Sequence, residues 1–356
     1  MHPAHVHSIA TEVPENVIDE TVVRTHMTEW LGDNPEMHAA VIDLMHGTRV
    51  KSRRFAFTPR ELLADKGLEW MNREYAARIL PMAERACARA LEAAQCTAKD
   101  IDLLLSTSCT GFMIPPLDAH LANRMGFRSD LKRLPVTELG CAGGAAGLAR
   151  ASDYLRAYPD HKVLVLTAEL TSATFQLKDH SKGNLVASML FGDGIAAAVM
   201  GGKPGPKGGP SIASSASAWF PDTLGLMGFD LKASGFHLIL SPRIPAVVKR
   251  EIRPFLDRLL AANGKKREDL SFFVLHPGGT RVLEALEDTL AIPRADVQHC
   301  WDVLANYGNL SSAMVMFILD ELWRTKTPAP GSLGVLAAFG PAFGAEASLL
   351  GWEAAA

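Results

Sequence analysis

Residues 90–107 read ALEAAQCTAKDIDLLLST, and residues 259–276 read LLAANGKKREDLSFFVLH. Each joins the end of a helical pattern, a charged turn and an apolar run of strand length. Asp100 falls opposite Asp269, 169 residues on. Further along, LGCAGGAAGLARASDYL (139–155) lies opposite YGNLSSAMVMFILDEL (307–322), with Cys141 facing Asn309 at a distance of 168. KVLVLTAEL (162–170) lies opposite LGVLAAFGP (333–341), where Val163 faces Gly334, 171 residues later. Three ordered matches at nearly one offset mark an internal duplication, with a period far too long for a solenoid. The chain is therefore expected to form two similar halves, 1–205 and 206–356, joined by the glycine- and proline-rich stretch GGKPGPKGGP (201–210).

Both halves alternate strand-length apolar runs with alanine-rich helical stretches. DLLLST (102–107), KVLVLTAEL, FFVLH (272–276) and LGVLAAF (333–339) read as buried strands. Residues 74–96, 143–158 and 311–324 read as helices, with Pro81 expected to break or kink the first. This alternation predicts a layered α/β fold. Hydrophobic residues make up 48% of the 356 positions and charged ones 21%, which suits a large packed core. A net charge of −3 offers no global basic field for nucleic acid, and no apolar run reaches membrane-spanning length. Five irregularly spaced cysteines, with no secretory leader, predict reduced thiols in a cytoplasmic protein.

The duplication also gathers chemistry. Thr107 aligns with His276, both at strand ends, where open α/β sheets tend to place their sites. Cys141 precedes a helical stretch, and a helix N-terminus stabilises a thiolate. Gly143 and Gly144 would leave room for a substrate carbonyl, with the Cys141 N–H helping to hold an oxyanion. The same small residues could equally serve a tight helix crossing. His276 could pair with the thiolate or be a core histidine, and Asn309 could be a ligand-facing amide or a cap.

Taken together, ELGCAGGAAG (138–147), LFGDGIAAAV (190–199), HPGGTRVLEAL (276–286), NYGNLSSA (306–313) and FGPAFGAE (339–346) resemble, in order, the motifs of type III polyketide synthases. These are the chalcone- and stilbene-synthase-like enzymes, and TSCTGFMIPPLDAHLANRMGF (107–127) is similar to their bacterial members. The resemblance spans nearly the whole chain. It implies a thiolase fold, five-layered αβαβα, an internally duplicated chain and a homodimer. It also implies an acyltransferase with a Cys141–His276–Asn309 triad, which takes an acyl-CoA starter and malonyl-CoA and needs neither a metal nor an organic cofactor. Phe191 and Phe236 match the gatekeeping phenylalanines. Cys109, Thr110, Thr174, Gly228, Ser311 and Pro341 match cavity positions, and Ile114 matches one that reaches the partner subunit's cavity.

Some positions depart from the pattern. AFGPA (338–342) stands where many members have GFGPG. The basic CoA contacts of the plant enzymes fall on Val41, Leu44 and Thr48, so TRVKSRR (48–54) is expected to supply Arg49, Lys51, Arg53 and Arg54 instead, with Gly278 and Gly279 at the same tunnel. Related tetrahydroxynaphthalene synthases carry a cysteine at Thr174, which counts against that product. A fatty acyl starter giving a pyrone or resorcinol is the expected chemistry; a phloroglucinol or tetrahydroxynaphthalene synthase, a ketoacyl-ACP synthase III and a non-catalytic scaffold are the alternatives. His2, His5 and His7 are not expected to bind a metal, and DGIAAAV (193–199) is too short for a nucleotide fingerprint.

Overall fold

The computed structural model describes residues 3–355. In the first half the order is β1 (Ala4–Glu12), β2 (Asn16–Asp19), α1 (Glu20–Leu31), α2 (Pro35–Thr48), β3 (Ser52–Phe55), α3 (Pro59–Leu62), α4 (Gly67–Ala93), β4 (Leu103–Ser108), α5 (Leu117–Arg124), β5 (Lys132–Thr137), α6 (Gly143–Ala157), β6 (Lys162–Glu169), α7 (Lys182–Leu190) and β7 (Gly194–Gly201). The second half runs β8 (Gly209–Trp219), β9 (Met227–Lys232), β10 (Gly235–Leu240), α8 (Ile244–Ala262), β11 (Leu270–Leu275), α9 (Thr280–Leu290), α10 (Gln298–Tyr307), α11 (Met314–Thr325), β12 (Leu333–Gly340) and β13 (Gly344–Glu353).

The duplication is visible in strand pairing. β5-β4-β6-β7-β1 forms one half-sheet and β11-β12-β13-β8 the other, joined into nine strands where the starts of β1 and β8 pair. In each half a parallel pair (β4 with β6, β11 with β12) is followed by antiparallel neighbours. Leu103 pairs with Val163 as Phe272 pairs with Gly334, a register that sets Thr107 opposite His276. The turn before each parallel strand is closed alike: Asp100 accepts from Thr97 N and Asp269 from Lys266 N, each at 2.8 Å. One alignment shifts. The 3-10 turn Gly140–Ala142 leading α6 matches Ser311–Ala313 leading α11, so Cys141 lies opposite Ser312 rather than Asn309.

Five layers result. α4 covers β1, β6 and β7 from outside, α8 covers β8 and β13 with α9 packed on it, and α6 and α11 lie between, each touching strands of both halves. β6 is buried on both faces: Val163 and Val165 face the central layer, while Leu164, Leu166 and Ala168 face α4. α4 presents Tyr75, Ile79, Met82, Ala83, Ala86, Cys87 and Ala90 on one stripe at helical spacing. It runs unbroken through Pro81, because packing of that stripe outweighs one missing hydrogen bond. The 201–210 stretch is less of a linker than its composition suggests. Gly209 and Pro210 belong to β8, and a Cβ on Gly209 would lie 2.3 Å from the Trp323 ring.

Candidate active site

The helices α6 and α11 meet at their leading turns in the central layer, and these turns carry Cys141 and Ser311. A Cβ on Gly144 would lie 2.1 Å from the Ser312 carbonyl oxygen. Gly140 has φ +48°, and a Cβ there would lie 2.6 Å from the Pro341 ring. The glycines around Cys141 therefore let two helices and the Pro341 turn close on the cysteine. The room expected at Gly144 for a substrate carbonyl is taken up by the other half of the chain.

Around that junction the polar groups form one chain of contacts. The Ser311 hydroxyl lies 3.9 Å from Cys141 Sγ and 3.6 Å from Cys109 Sγ. Ser311 N donates to Asn309 Oδ1 at 2.9 Å, and Asn309 Nδ2 donates to the Gly278 carbonyl at 3.1 Å. The main chain of Asn309 is pinned from the other side: its N–H donates to Leu190 O at 2.8 Å and its carbonyl accepts from Gly192 N at 3.0 Å. Phe191 and Asn309 thereby form a β-bridge that joins α7 to the start of the α11 turn. His276 follows β11, with its N–H donating to Ala337 O at 2.9 Å. Its ring is 1% exposed, and neither nitrogen has a hydrogen-bond partner.

Burial acts on Cys141 and His276 alike. It pushes the Cys141 thiol up to about 12 and holds the His276 imidazole down to about 3, so each group alone stays neutral near pH 7.

Cys141, Asn309, Ser311, Gly278 and Phe191 line one cavity of about 820 Å³, mouth included. Cys109, Thr110, Thr174, Gly228 and Pro341 line it too, and Met227, Phe229, Leu238 and Leu240 give it an apolar wall. Behind Cys109 sits Glu169, fully buried at the end of β6. Its carboxylate accepts from Ser312 Oγ (2.5 Å), Thr110 Oγ1 (2.8 Å) and Cys109 N (3.1 Å). Burial raises its pKa despite those donors.

Residues 1–204 match the N-terminal domain and residues 211–351 the C-terminal domain of chalcone and stilbene synthases. The chain belongs to this family. It is 42% identical over 336 residues to a 1,3,6,8-tetrahydroxynaphthalene synthase of Streptomyces peucetius, covering 92% of this chain and 89% of that one. A phloroglucinol synthase of Pseudomonas fluorescens is 30% identical, with 96% and 97% of the two chains covered. The crystal structure of the tetrahydroxynaphthalene synthase of Streptomyces coelicolor, a bacterial type III polyketide synthase, superposes with a TM-score of 0.93 at 35% identity. That match covers 99% of this chain and 100% of the other.

As a type III polyketide synthase the chain is a condensing acyltransferase with the thiolase-type fold, and several expected positions sit differently from one another within it. Phe191 lines the cavity. Phe236 shares a strand face with Leu238 and Leu240 but packs against Phe229 and Phe112, with centroids at 5.6 and 5.4 Å. Ile114 is 96% exposed and outside its own chain's cavity. The expected cationic mouth needs correction at Arg53. β3 alternates, so Arg53 and Phe55 point inward and Ser52 and Arg54 outward. Arg53 is 1% exposed and donates to Ser188 O, so it is not a surface cation. Arg49 pairs with Glu284 at 3.0 Å beside the Gly278–Gly279 turn, where Thr280 Oγ1 donates to Thr48 O. Lys51 is exposed. Glu169 was absent from the sequence-based set, though an acid ending an otherwise apolar strand was a signal for it. Among the described residues no cluster of three His, Cys, Asp or Glu could hold a metal, and no helix is long and apolar enough to cross a membrane. His2 lies outside the described residues.

Proposed function

We propose that this type III polyketide synthase loads an acyl-CoA starter onto Cys141 and extends it with malonyl-CoA. The observation that carries the reading is that Cys141, Asn309 and Gly278 line one cavity while His276, two residues before Gly278, keeps both ring nitrogens free in a buried site. His276 takes the thiol proton, and the Cys141 thiolate attacks the starter thioester and expels CoA. His276 and the Asn309 amide then donate to the malonyl thioester oxygen. The C–C bond to the carboxylate breaks, CO2 leaves, and the electron pair becomes an enolate held by those two donors. The enolate carbon attacks the acyl group, the C–S bond to Cys141 breaks, and the lengthened chain, now a CoA thioester, is passed back to Cys141 with release of CoA for each further round before cyclisation.

The apolar wall of Met227, Phe229, Leu238 and Leu240 supports a fatty acyl starter and a pyrone or resorcinol product. A second reading, a tetrahydroxynaphthalene-type product, is favoured by the 42% identical relative of that name. Arg49, Lys51 and Arg54, with Gly278 and Gly279, are proposed to hold CoA. A homodimer with Ile114 at the partner's cavity is supported by the open edge of β5, where Leu134 is 41% exposed, and by the exposed Ile114 and Phe112. Five free cysteines support a reducing, cytoplasmic setting.

Incubation with malonyl-CoA, alone and with acyl-CoAs of graded length, tests the reading by product mass. Chain-length-dependent pyrones or resorcinols support the fatty acyl starter, and one aromatic product from malonyl-CoA alone supports the second reading. Turnover of malonyl-ACP only, with none of malonyl-CoA, would contradict both.

A further inference from the structure

Phe55, Phe175 and Ser188 line the main cavity on one side and a second cavity, of about 470 Å³ with its opening, on the other. The second cavity lies between α1, α3 and α7; its lining is mostly aliphatic and aromatic, with His26 and Ser188 as further polar members and no carboxylate. Yet it contains a buried cation. Arg53 is 1% exposed, makes one hydrogen bond (Nη1 to Ser188 O, 2.8 Å), has an unpartnered Nε and forms no ion pair among the described residues. The indole Nε1 of Trp30, on the same lining, is also buried without a partner.

A desolvated guanidinium is costly unless an anion meets it, and buried charges are normally paired. Arg53 cannot easily escape to water. Cβ atoms built on Gly308 and Gly192 would lie 3.0 Å from its Cγ and 3.5 Å from its Cβ, so its stem is clamped behind the Phe191–Asn309 bridge. The fork of a guanidinium fits a carboxylate best, and the surrounding walls fit a hydrocarbon chain.

We propose that this second cavity binds the carboxylate end of an apolar chain, with Arg53 and the Trp30 N–H as its donors. The carboxylate comes either from the far end of a dicarboxylic starter carried on Cys141, reaching past the shared wall, or from a free fatty acid. Only the first source rests on the proposed loading of Cys141.

Two arms on the full-length protein separate the sources. In the first, calorimetry compares octanoate with octanol; in the second, kcat/KM is compared for suberoyl-CoA and octanoyl-CoA, with malonyl-CoA as extender. A charge-assisted contact predicts a preference for the acid of about 10- to 100-fold in one arm or the other. Arg53→Met should erase that preference. Because Arg53 is buried, Val22→Trp provides a second probe: it fills the cavity from α1 and should erase the same preference. A response in the calorimetric arm alone assigns the site to free acids, and a response in the kinetic arm assigns it to the starter. Equal binding of acid and alcohol, with a chain-end ratio that neither variant moves, would overturn the proposal. A wild-type enzyme that accepts no acyl-CoA would sink the proposed function and leave the calorimetric arm to decide this site.

Discussion

The Cys141 thiol is pushed up to about 12, chiefly by burial, so without the proposed base His276 it should stay protonated near neutral pH. Alkylation of His276→Ala by iodoacetamide, read on the Cys141 peptide, should therefore be slow at pH 7–8. It should rise about tenfold per pH unit into the alkaline range, because only the thiolate reacts. The wild-type protein should react readily near pH 7. Matching pH profiles would mean that His276 does not activate the cysteine. Cys141, His276 and Asn309 came from the motif resemblance, since residue by residue a packed cysteine, a core histidine and an asparagine cap stayed open; Cys141 and Asn309 line one cavity, and His276 lies buried two residues before Gly278 of the same lining. Arg53 was misplaced because its position depends on which strand face is inward, and a four-residue strand such as Ser52–Phe55 has too little alternation to reveal it.

At the level of elements, the α6–α11 contact sets the geometry of the site. Gly144→Ala puts a methyl group 2.1 Å from the Ser312 carbonyl oxygen, where backbone rather than a flexible side chain must yield. The expected cost is about 1–3 kcal/mol, the range for overpacking a filled core, read as a lower urea midpoint. Activity should fall with it, since Ser311 and Asn309 move with that turn. An unchanged midpoint would mean that the helices do not close on each other here. β4, β6, β11 and β12 and these two helices were readable to within a few residues, because apolar runs on buried strands leave little freedom, whereas the other strands were not read. Pairing Cys141 with Asn309 was off by three residues, since the loops before the two helix turns differ in length and alignment by eye cannot register them.

Across the whole molecule, two half-sheets sharing a layer of two helices place a cysteine from one half among groups from the other. The same architecture leaves β5 with one unpaired edge. If that edge pairs with a second copy, Leu134→Asp should convert the dimer to a monomer by light scattering; an unaffected dimer would move the interface elsewhere. The duplication itself was legible from the 90–107 and 259–276 stretches, whereas the contents of the cavities were not, because they depend on contacts between the halves. The central claim is that Cys141 carries the growing chain. Intact-protein mass spectrometry after mixing with an acyl-CoA tests it most directly. One acyl adduct per chain is expected, mapped to Cys141 and absent from Cys141→Ala. No adduct, or one that maps to Cys109 and survives in Cys141→Ala, would contradict it.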